Sequence, residues 1–429
     1  MKTLRYIRNF LAVVMACLAV AAFTGKFYPV KIFDVQFAAL AQRVLVDASM
    51  FACVAAGIVL IATLLFGRIY CSVFCPLGLF QDALMLIFRR KVPAQKNRPY
   101  KYVLALISFG AMIGGTAFAV RCLDPYTMSG SAASGAISGI VFCAAVALLT
   151  FCKGRAFCAN VCPVGAVLGL LSERAPCKMR IDREKCVSCG LCASKCPTGS
   201  IDFKNKTVNN ETCVRCFKCA GVCRRRGISF GFGKTASSPA PVDASKRKLI
   251  AGAIGVAAVA ALAVKGGAVL GKSIARKVKN VLVPAGAQGA GVLAARCLNC
   301  NLCVQNCPMK ILKKANADYP AVHLDYSDNG FCGFECDKCA QICPSGAIRR
   351  LTLAEKQRTQ IGLADVDTDV CVQCGLCVMK CPREAITKEY GDFPQFDAEK
   401  CIGCGACQAA CPVKAIAVKP LEAHKLLKA

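Results

Sequence analysis

The stretch from Cys186 to Cys223, CVSCGLCASKCPTGSIDFKNKTVNNETCVRCFKCAGVC, constrains this chain more than any other. It holds two runs of C-x2-C-x2-C-x3-C. Three cysteines on one tight loop can hold three corners of a cubic iron–sulfur cluster. The fourth points away and, in two-cluster ferredoxins, ligates the neighbouring cluster. On that spacing Cys186, Cys189, Cys192 and Cys223 are expected to hold one [4Fe–4S] cluster, and Cys213, Cys216, Cys219 and Cys196 a second. Gly190 lets the loop turn, and Pro197 stops the backbone after the fourth ligand. The second run has Arg224 where that proline would stand, which leaves the ligand set whole. Pairs of C-x2-C also suit tetrahedral zinc. Zinc, however, asks for two separated pairs and not for a doubled quartet.

Four further quartets follow. They are Cys297, Cys300, Cys303 and Cys307; Cys332, Cys336, Cys339 and Cys343; Cys371, Cys374, Cys377 and Cys381; and Cys401, Cys404, Cys407 and Cys411. Pro308, Pro344, Pro382 and Pro412 close them, and the second has a wider first spacing. Quartets use 24 of the 34 cysteines in 429 residues, far too long a chain for a disulfide miniprotein. Six [4Fe–4S] clusters are therefore expected. Spacing leaves open which of the last four quartets exchange fourth ligands. The short gap between the last two resembles a simple two-cluster ferredoxin, and a nested pairing, first with fourth and second with third, is equally compatible.

The rest of the chain is apolar and basic. Hydrophobic residues make up 55%, and the formal net charge is +30. Apolar runs at 10–23, 48–66, 102–120 and 135–151 read as four membrane spans. The first could also be a signal peptide, with Ala19-Val20-Ala21 as its cleavage site. Residues 67–101 carry seven basic residues and one acid, and residues 152–248 carry nineteen and six. By the positive-inside rule both loops are cytoplasmic. Residues 1–280 hold 38 Lys and Arg against 10 Asp and Glu, whereas 281–429 hold 17 against 15. The excess belongs to the membrane half, so a lipid membrane is the expected partner and nucleic acid is not. A fifth candidate span is 249–270, after the linker TASSPAPVDAS (235–245). It opens SKRKLI, like an export signal with Lys-Arg for Arg-Arg. Against a crossing stand Lys265 inside it and Lys272, Arg276, Lys277 and Lys279 after it. A packed hairpin or an interfacial helix is the other reading.

These features predict a membrane α-helical bundle of four spans plus a fifth candidate, carrying two α+β bacterial-ferredoxin-like [4Fe–4S] domains. The units are 1–175 (bundle), 176–233 (two-cluster ferredoxin), 234–295 (linker and candidate span) and 296–429 (four-cluster domain). Inside the bundle a repeat recurs, GRIYCSVFCPLG (67–78) and GRAFCANVCPVG (154–165). Cys71, Cys75, Cys158 and Cys162 either meet to hold a further metal or cluster, or are small packing residues. Cys17, Cys53, Cys122, Cys143, Cys152 and Cys177 read as core. Two histidines, His323 and His424, exclude a chain of bis-histidine haems and any arguable Ser-His-Asp site. The piece GFGKT (231–235) misses the P-loop spacing, and no dinucleotide fingerprint follows a strand.

On these motifs residues 1–233 resemble the NapH-type membrane ferredoxins, quinol dehydrogenase subunits of periplasmic nitrate reduction. The shared features are four spans, two C-x3-C-P motifs at helix exits, and a two-cluster ferredoxin ending CAGVCRRRGISFGFG. The membrane module of NosR is similar. Residues 246–415 resemble the NapG/MauM-type periplasmic ferredoxins, with four quartets and IGLADVDTDVC before the third. The likeness implies both subunits in one polypeptide of the bacterial inner membrane, the first ferredoxin domain cytoplasmic and the C-terminal domain periplasmic. It implies anaerobic respiratory electron transfer from the quinone pool through the clusters to a periplasmic cytochrome or reductase. The alternative is a maturation or redox-sensing factor for a partner oxidoreductase. A quinol site needs a proton acceptor near a span end. Asp34, Asp47, Asp82 and Asp124 are available, each expected as a solvated loop charge, and Asp124 is the candidate acceptor.

Overall fold

The computed structural model describes residues 2–24, 35–47, 49–88, 92–93, 100–232, 262, 264–270, 273, 278 and 281–427. Its first half is helical. The helices are α1 (Lys2–Phe23), α2 (Phe37–Asp47), α3 (Met50–Phe66), α4 (Tyr70–Val73), α5 (Pro76–Phe88), α6 (Tyr100–Ile113), α7 (Phe118–Leu123), α8 (Pro125–Ala133), α9 (Ile137–Lys153), α10 (Ala156–Asn160) and α11 (Pro163–Arg174). The sequence repeat becomes a structural one: α3–α4–α5 and α9–α10–α11 are each a long apolar helix, one short turn and a proline-led helix. Gly67 (φ 81°) and Gly154 (φ 62°) end the two long helices, each donating its N–H to a threonine carbonyl, Thr63 and Thr150. Glycine suits that left-handed position because it carries no Cβ. Pro76 and Pro163 then start the next helices, where a missing N–H costs nothing.

By length and composition one described helix, Thr3–Phe23, can cross a membrane alone; the pair α8 and α9, bent by 118°, makes a second only if counted together. The expected span at 102–120 is broken. Helix α6 ends at Ile113, because Gly114 and Gly115 (φ 97°) follow, and α7 starts afresh at Phe118. Helices α3 and α9 have 17 residues each, about 26 Å at 1.5 Å per residue. Their outer faces expose Ile58, Ile61, Ile137 and Leu148. An apolar surface of this extent suits lipid contact. It also explains a miss: Cys17, Cys53, Cys122 and Cys152 are exposed, not core, because the outside of such a bundle is as apolar as its inside. Cys143 is half-buried and Cys177 is buried. The linker, the SKRKLI opening and the fifth candidate span up to residue 261 lie outside the described residues. Residues 264–270 are helical, and a Cβ on Gly267 would stand 2.5 Å from the Ala111 carbonyl oxygen, so this segment meets α6 backbone to backbone.

The cysteine-rich regions are α+β, built from two-stranded antiparallel ladders. Strand β1 (Lys178–Ile181) pairs with β4 (Ile228–Gly231), and β2 (Ile201–Asp202) with β3 (Thr207–Val208). After residue 281, β5 (Leu312–Lys313) pairs with β6 (His323–Leu324), β8 (Ile386–Thr387) with β9 (Gln395–Phe396), and β7 (Thr359–Val366) with β10 (Ile416–Leu426).

The two cysteine-rich regions meet opposite ends of α1, a 22-residue helix about 33 Å long. At its start, Arg8 pairs with Asp82, which also binds Arg155 Nη2 (2.9 Å) and Lys218 Nζ (3.2 Å). At its end, Ala19, Ala22 and Phe23 share a core with Cys297, Leu302 and Cys303. The segment after α6, through α7 and α8, adds hydrogen bonds to the same region: Ala117 N–H to the Ala295 carbonyl (2.8 Å), Arg121 Nη1 to the Pro320 carbonyl (2.8 Å) and Ser131 Oγ to the Asn299 carbonyl (2.6 Å).

Asp82 is thus not a solvated loop charge. It is 8% exposed, and three cations reach it from three parts of the chain. Burial alone would raise its pKa, but Arg155, Lys218 and Arg8 together hold it well below the usual carboxylate range. Its contribution to stability is complete above its unfolded value of 3.8 and is lost as pH falls toward the lower folded value. Asp82→Asn leaves three cations around an amide and should cost about 3–5 kcal/mol. The check is the denaturation midpoint in detergent against pH: the wild-type advantage should fade under acid, and an equal midpoint at neutral pH would refute the assignment.

Candidate metal centres

The quartet loops share one backbone plan. In five of the six, the residue before the second cysteine is left-handed: Ser188, Arg215, Asn299, Gln373 and Gly403. The residue after it is left-handed too: Gly190, Phe217, Asn301, Gly375 and Gly405. The wider C-x3-C spacing at Cys332 is the exception. Three residues beyond every fourth cysteine stands another: Gly199, Arg226, Lys310, Gly346, Glu384 and Lys414. Non-glycine residues there cost roughly 1–2 kcal/mol each. The alternation turns successive N–H groups inward, forming the concave nests that bind anions and iron–sulfur clusters. The fourth cysteines also receive N–H donors on sulfur: Ser200 to Cys196 (3.3 Å), Ala385 to Cys381 (3.3 Å) and Ala415 to Cys411 (3.2 Å). Such bonds favour a thiolate and tune a cluster's potential. Cysteine spacing hid this plan, and only the glycines and Asn299 and Asn301 hinted at it.

The fold then sorts the thiols into sets. Cys186, Cys189, Cys192 and Cys223 line one cavity, and Cys196, Cys213, Cys216 and Cys219 another. Cys307, Cys332, Cys336 and Cys339 line a third. Cys300 and Cys303 lie within electrostatic reach of Cys297 and Cys343, and all four share one core. Cys381, Cys401, Cys404 and Cys407 line the next, and Cys371, Cys374, Cys377 and Cys411 the last. The first C-terminal quartet therefore faces the second and the third faces the fourth; the nested pairing is not what the chain builds. Among the described residues no three His, Cys, Asp or Glu side chains converge as ligands of one ion would.

The bundle repeat brings its own four cysteines together. Cys71, Cys75, Cys158 and Cys162 are all buried in one core, which continues through Cys216 and Val214 on one side and Val120, Ala117 and Leu298 on the other. The two copies clasp each other. Arg68 Nη2 donates to the Cys158 carbonyl (3.0 Å), and Arg155 Nη1 donates to the Cys71 carbonyl (3.1 Å). Gly78 and Gly165 are needed for this: a Cβ on either would fall on the Cys71 or Cys158 carbonyl oxygen. The repeated arginines carry the site, and the sequence reading gave them no role.

Charge balance tests what this pocket fits. Both guanidiniums are fully buried, 0% exposed. Arg155 has Asp82 as its counter-ion. Arg68 contacts the Glu211 carbonyl (3.2 Å), the Cys158 carbonyl (3.0 Å) and Cys71 Sγ (3.8 Å), and its Nε finds no acceptor. Burial pushes the Cys158 thiol up to about 11 despite the pull of Arg155 and Arg68. Bare thiols would leave Arg68 uncompensated, a costly arrangement. Iron bound there would deprotonate its thiols, so a thiolate-ligated cluster would supply the missing negative charge.

Asp124 also differs from its expectation. It is 2% exposed and caps α8, its Oδ2 accepting from Thr127 N–H and Oγ1, both at 2.9 Å. Burial raises its pKa to about 6 in spite of those bonds. Asp34 lies outside the described residues, and Asp47 ends α2.

Comparison with known proteins agrees with this chemistry. A 4Fe-4S binding domain matches residues 48–95 and 135–181, the two copies of the bundle repeat, and another matches 179–202. 4Fe-4S dicluster domains match 296–348, 331–385 and 364–418. Of these, 331–385 joins two quartets that the fold keeps in different sets. The ferredoxin-type protein NapH of Haemophilus influenzae is 26% identical over 157 residues, 34% of this chain and 53% of the relative. The methylamine utilization ferredoxin-type protein MauM of Methylobacillus flagellatus is 31% identical over 139 residues, 30% of this chain and 58% of the relative. The ferredoxin-type protein NapF of Escherichia coli is 33% identical over 150 residues, 27% of this chain and 88% of the relative. The chain thus spans about half the length of NapH and MauM and most of NapF.

Six clusters should give about 24 irons with equal acid-labile sulfide after anaerobic purification, plus a further complement of iron if the bundle cysteines hold a cluster. Arg68→Met should remove only that further complement. Stoichiometric zinc with little iron, or an iron count that Arg68→Met leaves unchanged, would count against these assignments.

Proposed function

We propose, from the premise that this chain belongs to the family of ferredoxin-type proteins that includes NapF, NapH and MauM, that it is a membrane-bound electron conduit between quinol and a redox partner on the other side. The coarser part is plain: it is an iron–sulfur electron-transfer protein. The finer part is our reading. Units 1–175, 176–233, 234–295 and 296–429 serve as bundle, cytoplasmic two-cluster ferredoxin, linker with a fifth crossing, and periplasmic four-cluster domain. Six [4Fe–4S] clusters are held by the six cysteine sets, with Cys71, Cys75, Cys158 and Cys162 as a seventh site. Bound there, clusters supply one-electron transfer at tuned potentials.

The observation that carries this reading is the placement of the two cysteine-rich regions at opposite ends of α1, with the bundle cysteines in the core between them. Basic loops beside the first region support a cytoplasmic location for it. The near charge balance of 281–429 supports export of the second. The meeting of Gly267 with α6 supports a fifth helix seated in the bundle.

Oxidation of a quinol releases two electrons and two protons. The protein's own residues must accept the protons and exclude water. Asp124 has the position and the acid strength to take them in turn: it is ionised, and so a base, above about 6. The sign differs from that of Asp82. A raised carboxyl stabilises the fold at low pH, and that contribution is lost as pH rises from 3.8 through about 6.

Menaquinol analogues should reduce the bound clusters, followed by absorbance and EPR. The rate should rise with pH through about 6. Asp124→Asn should lower it by about 10²–10⁴-fold, and remove that pH limb, at unchanged iron content. A fully loaded protein that never exchanges electrons with quinol would point instead to maturation or sensing.

A further inference from the structure

The four C-terminal cysteine sets are joined in a definite order. The set of Cys297, Cys300, Cys303 and Cys343 is the one against the bundle. Besides the bond from Ser131, Asn301 Nδ2 donates to Ser134 Oγ (2.9 Å), and a Cβ on Gly130 would stand 2.6 Å from the Cys300 carbonyl oxygen. Its neighbour, with Cys332, belongs to the same exchanged pair of quartets, since Cys307 and Cys343 cross over between them. At the step to the second pair, Cys332 N–H donates directly to the Cys404 carbonyl (2.8 Å).

Tyr326 sits at that step. It is buried at 4% exposure, and its hydroxyl donates to the Gly403 carbonyl (3.2 Å). Its ring packs against the third set's loop, so close that a Cβ on Gly405 would be 2.7 Å from Cδ2. It lies within electrostatic reach of Cys307 and Cys332 in the second set and of Cys404 and Cys407 in the third. The remaining set, with Cys371, is the far end: Cys374 is exposed, and so are Val372, Met379 and Tyr390 around it.

We propose that the four sets work in single file, from the Cys297 set through the Cys332 and Cys404 sets to the Cys374 set, with Tyr326 as the positioning residue of the middle junction. The inference rests on the cluster ligation proposed above. Clusters held by these sets would pass one electron at a time with no atoms moved, the donor cluster being oxidised and the receiving one reduced, and an external one-electron acceptor would take the electron at the Cys374 end. Tyr326 contributes bulk and a fixed hydroxyl anchor. The ring fills the space between two ligand loops, keeps water out of it, and holds the loop of Gly403 and Gly405 at a set distance from Cys332.

The test uses the full chain, purified anaerobically and reduced with dithionite, so it does not depend on quinol. Low-temperature EPR reads the spin–spin interaction between neighbouring sets, and iron analysis reads loading. Tyr326→Phe keeps the ring and should keep the interaction. Tyr326→Ala should lose the part that joins the second and third sets while retaining full iron; should it lose iron, Tyr326→Leu carries the same comparison. Cys374→Ser should remove about four irons and leave the interaction among the first three sets intact. Cys336→Ser should separate the Cys297 set from the other two. An unchanged interaction in the fully loaded alanine or leucine variant, or a Cys374→Ser protein whose first and second sets uncouple, overturns the single-file order. Failure of cluster ligation would show up separately, as missing iron in the unsubstituted protein.

Discussion

One buried carboxylate organises the end of this molecule where α1 starts. Asp82 stands where the N-terminal helix, the second copy of the bundle repeat and the two-cluster ferredoxin meet, and each sends it a cation. Burying Asp82, Arg8 and Arg155 beside the half-buried Lys218 is expensive, and breaking such a group is more so, since an orphaned buried charge then sits in a poor dielectric. The arrangement therefore tolerates one docking geometry and penalises others. A second polar cluster acts beside it: Glu211 of the ferredoxin takes Lys101 and Tyr102, and its carbonyl takes Arg68. Hydrophobic contact alone would let a small ferredoxin slide over the end of an apolar bundle. These directional bonds stop it.

The duplicated bundle motif uses the same logic inward. Each arginine leaves its own copy and binds the carbonyl of a cysteine in the other. The two halves therefore cannot separate without exposing buried guanidinium groups to apolar surroundings. The four cysteines are brought together by that clasp, and the unbalanced charge on Arg68 is the physical reason to read them as ligands. The core they occupy touches the first cysteine-rich region at Cys216 and the second at Leu298, so the bundle is a packed connection between the two.

The cluster-binding loops show a different economy. Left-handed backbone at Ser188, Arg215 and Gln373 is unfavourable for an unligated loop, and the same conformation recurs from quartet to quartet. Strain repeated at equivalent places reflects a common requirement, the inward N–H groups that a cluster's negative charge needs.

Cysteine spacing is local information, and it sufficed for the cluster chemistry, the α+β ferredoxin regions and the bundle repeat. The apolar runs likewise located the helices of the bundle, although not their lengths, since Gly114 and Gly115 break a run that composition alone would continue. What the sequence could not carry was anything requiring two distant segments to meet. Spacing allowed two pairings of the last four quartets, and only the crossing of Cys307 with Cys343 and of Cys381 with Cys411 in space chose one. Asp82 and Asp124 read as loop charges because a carboxylate's burial depends on what folds over it. Arg68 and Arg155 were visible as repeated letters, but their partners lie about ninety residues apart. Motifs determine chemistry through neighbours along the chain, whereas the environment of a charge is set by neighbours in space.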